Sequence, residues 1–106
     1  MIIAALRLTF MTSPDNSSSR GLAQKIKDRL LTKFKASVTE IPTPGSNELV
    51  IGVAIVGYDE AKTKERVNQI IRHLQEWSSV ELVNDEVEIM QFDDLEMERD
   101  FEKYNP

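Results

Sequence analysis

Residues Glu48–Gly57 read ELVIGVAIVG. From Leu49 to Val56 the run is almost wholly apolar, too short for a typical helix and rich in β-branched side chains, which predicts a central strand. Gly52 inside it predicts a close backbone approach or a bulge. Just upstream, PTPGSN carries two prolines and a glycine and sets a turn. Before that turn, Ser37–Ile41 reads as a short strand.

Further back, Leu22, Ile26, Leu30 and Phe34 recur every fourth residue, with Ala23 beside them. That spacing makes one apolar stripe on a helix of about four turns. Lys25, Arg29 and Lys33 run parallel along one flank, where their stems cover the edge of the stripe and their charges stay wet. The N-terminal IIAALRLTF alternates: Ile2, Ala4, Leu6, Leu8 and Phe10 on one side, Ile3, Ala5, Arg7 and Thr9 on the other. This is the period of a strand.

Downstream, YDEAKTKERVNQIIRHLQEWSS predicts a second helix. Asp59 is its N-cap, and Val67, Ile70, Ile71, Leu74 and Trp77 form its apolar face. Lys62, Arg66 and His73 lie on its flank. VELVNDEVEIMQF reads as a last strand of imperfect alternation, since both parities carry an acid and an aliphatic. Residues 93–106, DDLEMERDFEKYNP, read as an acidic tail or a short helix with Leu95, Met97 and Phe101 available for docking.

The order strand, helix, strand, strand, helix, strand predicts an α+β fold, the ferredoxin-like βαββαβ two-layer sandwich over residues 1–92. Right-handed crossovers put both helices on one face of a four-stranded antiparallel sheet. The other face then offers Ile3, Ala5, Val50, Ala54 and Val56, a patch too apolar to stay bare. A second subunit, another protein or the Leu95–Phe101 segment would cover it.

The chain has 106 residues, enough for one domain with one core. It lacks cysteine, which excludes disulfides, thiolate chemistry and a cysteine-based zinc site. The short apolar run before Arg7 does not make a signal peptide, and no run approaches a membrane span, so a soluble cytoplasmic protein is expected. The net charge of −5 is unevenly spread. Arg20, Lys25, Lys27, Arg29, Lys33 and Lys35 face only Asp28 within their stretch, whereas the chain from Glu81 onward is strongly acidic. Such asymmetry fits solvated or mutually facing regions, or a basic face for an anionic partner.

The stretch Asp15–Leu30, DNSSSRGLAQKIKDRL, tests for a phosphate loop. Gly21 is alone and no Lys-Ser/Thr follows, so neither a Walker loop nor a dinucleotide fingerprint is present. A helix start capped by Asp15, Asn16 or a serine accounts for it better than a bound anion. His73 is the only histidine and reads as a surface or boundary residue without an acid–base partner. Asp93, Asp94, Glu96 and Glu98 lack the spacing of a calcium loop. The sequence therefore points to no catalytic residue, metal, cofactor or small-molecule ligand.

Asp28-Arg29-Leu30, Lys33-Phe34, Val38-Thr39-Glu40 and Leu6-Arg7-Leu8, in this order of elements, resemble the bacterial YlxP-like family, domain of unknown function 503. The likeness covers roughly residues 1 to 90, a single-domain span. The family's Ser-Leu-Lys-Glu-Lys-Arg is replaced by DNSSSR, in which only Arg20 is retained, and its Trp-Gln before the third strand is missing. The resemblance implies a ferredoxin-like fold and a cytoplasmic bacterial protein, encoded near translation and ribosome-maturation factors; it gives no settled activity. Two non-enzymatic functions follow. One is a binding or assembly domain, homodimeric or with a protein partner, that works through the sheet face. The alternative is an RNA- or ribosome-associated module using Arg20, Lys25, Arg29 and Lys33, whose affinity would fall steeply with salt.

Overall fold

The computed structural model describes residues 1–12 and 19–92. Six elements follow in the expected order: β1 (Ile2–Met11), α1 (Ser19–Phe34), β2 (Ser37–Ile41), β3 (Glu48–Gly57), α2 (Glu60–Glu76) and β4 (Leu82–Gln91). The sheet runs β2-β3-β1-β4, and every neighbouring pair is antiparallel. This is the ferredoxin-like arrangement, with β1 and β3 central and β2 and β4 at the edges. The proposed caps Asp15 and Asn16 and the tail from Asp93 lie outside the described residues.

Period two divides the sheet into two faces. Ala4, Leu6, Leu8 and Phe10 of β1 stand beside Ile55, Val53, Ile51 and Leu49 of β3. All eight are buried, in one cluster with Ala23, Ile26 and Leu30 of α1 and Val67, Ile70 and Leu74 of α2. Both helices therefore cover the same face, α1 over β2 and β3, and α2 over β1, β3 and β4. Leu22, Phe34, Ile71 and Trp77 close the margins as half-buried residues.

The helix ends have identifiable causes. Asp59 caps α2, its carboxylate accepting from the Lys62 N–H at 2.8 Å. At the end of α1, Lys35 turns into the left-handed region at φ 53°. There the N–H groups of Lys35 and Ala36 reach the carbonyls of Leu31 and Leu30. Arg66 of α2 ties these parts together by donating to the backbone carbonyls of Val56 at 3.1 Å and Phe34 at 3.3 Å.

Two expectations are corrected. Gly52 is neither a bulge nor a backbone contact: it pairs in register with Arg7 and Thr39. A side chain there would press on Thr39 Cγ2 at 3.3 Å and Ile41 Cδ1 at 3.4 Å, so the glycine makes room for β2 side chains. The irregularity lies in β4, where the register with β1 shifts between Thr9 and Phe10. Asn84 pairs with Thr9 and Leu82 with Phe10, leaving Val83 as the extra residue. This bulge switches the parity of the strand, so Leu82, Val87 and Ile89 share the helix-facing side despite their mixed numbering.

Gly57 is the tightest position. A Cβ there would lie 2.0 Å from Oγ1 of Thr63, which is buried and donates to the Asp59 carbonyl at 2.7 Å. Gly57→Ala is expected to cost about 1–3 kcal/mol by overpacking. In a Thr63→Ala background the cost should shrink, which urea unfolding of the four chains in a double-mutant cycle would measure.

Candidate functional site

The face opposite the helices is assembled by pairing. Across β2, β3, β1 and β4, one row reads Ile41, Val50, Thr9, Asn84 and the next Thr39, Gly52, Arg7, Glu86. Then come Ser37, Ala54, Ala5, Glu88, and finally Val56, Ile3, Met90. The register brings together all five predicted sheet-face residues.

Their exposure is unequal. Val56 is 57% exposed, whereas Ile3, Ala5 and Ala54 are half-buried. Val50 is a correction: flanked by Ile41 and Thr9 on neighbouring strands, it keeps only 8% of its surface and cannot be a principal contact. The structure adds Ile41 and Met90, both exposed. The imperfect alternation of β4 hid Met90, and only pairing with Ile3 places it on this face.

A charged pair stands in the middle. Arg7 donates through Nε to a carboxylate oxygen of Glu86 directly across the β1–β4 ladder. This hydrogen bond, with the charge of Arg7, holds the Glu86 carboxyl below its usual range, and Glu86 in turn raises the guanidinium's pKa. Both side chains remain largely exposed, so the pair gives shape and polarity to the face more than stability. Beside it, Ala5, Ser37, Thr39, Gly52 and Ala54 line a shallow depression of about 350 Å³. A second, of about 440 Å³, lies between Arg7, Glu86 and Glu88 over Ala5.

The basic row of α1 has a different fate. Trp77, just past α2, lies under the Arg29 guanidinium, 4.1 Å from ring centroid to Cζ, with Lys25 Nζ at 5.3 Å. Arg29 also donates to Nε2 of His73 at 2.9 Å. His73 meets Phe34 edge-on at a centroid distance of 5.5 Å and Trp77 at 6.0 Å. Arg29 is thus engaged in joining the two helices and is not a free anion contact. Lys33 remains exposed, and the side chain of Arg20 lies outside the described residues. His73 is the boundary residue expected, but its partner, Arg29, is 44 positions away in sequence and invisible to spacing.

Among the described residues, no three His, Cys, Asp or Glu side chains gather as a metal site. Asp93, Asp94, Glu96 and Glu98 lie outside the described residues. No described helix is long and apolar enough to cross a membrane.

His73 carries a pH dependence. Burial first, then the charges of Lys33 and Arg29, lower its pKa against the opposing pull of Glu76. The unfolded chain takes up a proton near 6.5, the folded chain only at lower pH. Stability is therefore full above about pH 6.5 and declines as pH falls from there toward the folded pKa. Urea midpoints measured across this window are expected to fall on acidification, and His73→Gln, which keeps an acceptor for Arg29, to flatten the trend.

Comparison with known proteins agrees with this architecture. Residues 4–87 match the family model described as protein of unknown function DUF503, and the chain belongs to that family. No curated protein matches the sequence. Among solved structures, the de novo designed protein Foldit4 is similar at TM-score 0.55 and 15% identity, over 87% of this chain and 98% of that one. Rv0793 from Mycobacterium tuberculosis is similar at TM-score 0.50 and 14% identity, over 87% and 95%. A dimeric protein of unknown function and ferredoxin-like fold from Bacteroides fragilis gives 0.49 and 13%, over 86% and 96%. At such identities the likeness to the first two shows the fold alone.

Proposed function

We propose that this DUF503 domain is a non-enzymatic binding or assembly module whose working surface is the open face of the sheet. One observation carries the reading: Val56, Met90 and Ile41, which register places on this face, remain between 36% and 57% exposed. Register makes Val56, Ile3 and Met90 one continuous row. Apolar surface concentrated on one face of a small domain marks an association surface. Its central Arg7–Glu86 pair supplies the polar element that orients a partner. The resemblance to YlxP-like proteins, which tend to be encoded near translation factors, supports a cytoplasmic bacterial setting.

The RNA- or ribosome-associated alternative has less support. Arg29 is engaged with Trp77 and His73, leaving Lys25 and Lys33 as the outward charges. The central strands present Ile3, Ala5, Arg7, Val50, Gly52 and Ala54 on the open face, with no aromatic on which a base would stack. Salt-sensitive retention of structured RNA on a filter, lost in Lys25→Glu/Lys33→Glu, would favour it.

The sheet-face reading is tested by sedimentation together with binding of an apolar dye. The wild type is expected either to sediment as an assembly or, as a single chain, to bind the dye on this face. Val56→Asp should abolish whichever is seen while changing stability by no more than about 0.5 kcal/mol, as for a surface position. A single chain that binds no dye contradicts the reading.

A further inference from the structure

The distribution of side chains over the open face selects its occupant. We infer that a second copy of this chain packs there, face to face, about a two-fold axis running parallel to the strands between β1 and β3. This rests on the sheet-face reading above.

The face differs from one side to the other. In its middle rows, β1 and β4 carry the long side chains Arg7, Glu86 and Glu88. At the same height β2 and β3 carry Ser37, Thr39, Gly52 and Ala54, which line the 350 Å³ depression. Rotation about an axis along the strands lays β4 of one copy over β2 of the other, and β1 over β3. Glu86 and Glu88 then face the hydroxyls of Thr39 and Ser37, which can donate to carboxylates. Arg7 comes over Gly52, where no side chain obstructs it, and Ile3 comes over Val56. An axis across the strands would instead stack β4 on β4 and bring Glu86 and Glu88 against their own copies. Like charges so placed oppose association.

The area suffices. Three strands of ten residues and one of five, about 4.8 Å apart and rising about 3.3 Å per residue, make a face of roughly 550 Å². Two such faces bury on the order of 1,100 Å², above the roughly 1,000 Å² expected of a biological interface. Charge argues against the chain's own C-terminal segment as occupant. It holds Asp93, Asp94, Glu96, Glu98, Asp100 and Glu102 against Arg99 and Lys103, and the face already presents Glu48, Glu86 and Glu88.

The chain has no cysteine, so single introduced thiols report cleanly. Ser37→Cys and Glu88→Cys chains, unfolded and refolded together, are expected to cross-link to each other with a short bismaleimide. Glu88→Cys alone should give little covalent dimer. Light scattering should give twice the 12.1 kDa of one chain. Ala54→Trp, which fills the depression from outside the core, should return it to one chain mass while the chain stays folded, with a urea midpoint that no longer rises with protein concentration. Glu88→Cys cross-linking to itself as well as to Ser37→Cys overturns the inference, as does a dimer indifferent to Ala54→Trp. A wild type of one chain mass whose apolar-dye binding disappears in Val56→Asp also overturns it but leaves the sheet-face reading standing. One chain mass without dye binding overturns both.

Discussion

β1 is hydrogen-bonded along both sides, to β3 and to β4, and its alternation divides the molecule in two. Every residue of even number from Ile2 to Phe10 is buried, whereas none of odd number from Ile3 to Thr9 is. Because side chains of a strand alternate between faces, a slip of one residue in its pairing would exchange the core for the open face. The hydrophobic pattern excludes that slip. With β1 held in register, β3 must place Leu49, Ile51, Val53 and Ile55 on the same side, and both helices find their seats there.

The two surfaces that result differ in how fully their groups are used. On the helical side, cations and aromatics from distant parts of the chain satisfy one another: Arg29 lies on Trp77 and donates to His73, and Arg66 reaches two backbone carbonyls. Charge that looks available in the sequence is consumed in holding α1 to α2. On the sheet side, a neutral Arg7–Glu86 pair stands among small side chains, with aliphatic rows above and below it. No described element packs over those rows. The sheet side keeps Val56, Met90 and Ile41 exposed, and that apolar area points to association.

Most of the architecture was legible in the sequence because its signals are local. Period four from Leu22 to Phe34, period two from Ile2 to Phe10 and the apolar run from Leu49 to Val56 each identify an element from neighbouring residues. Asp59 as a cap is legible for the same reason, since it bonds an N–H three residues on. The candidate site was legible only in outline. Ile3, Ala5, Ala54 and Val56 follow from the parity of two regular strands, but Val50 is covered by neighbours on both sides. Met90 was missed because the extra residue at Val83 shifts the parity of β4 partway along.

The sequence by itself determined which segments fold, which face of β1, β3 and the two helices is apolar, and that the helices share one side of the sheet. Those properties depend on spacing within single elements and on the handedness of their connections. Tertiary structure alone decided that Gly52 makes room for Thr39 and Ile41, that Arg29 belongs to Trp77 and His73, and that Arg7 meets Glu86. Each of these joins residues separated in the chain by at least eleven positions and brought together by strand register or helix packing. No local pattern encodes such a meeting, because its distance is set by every element that lies between.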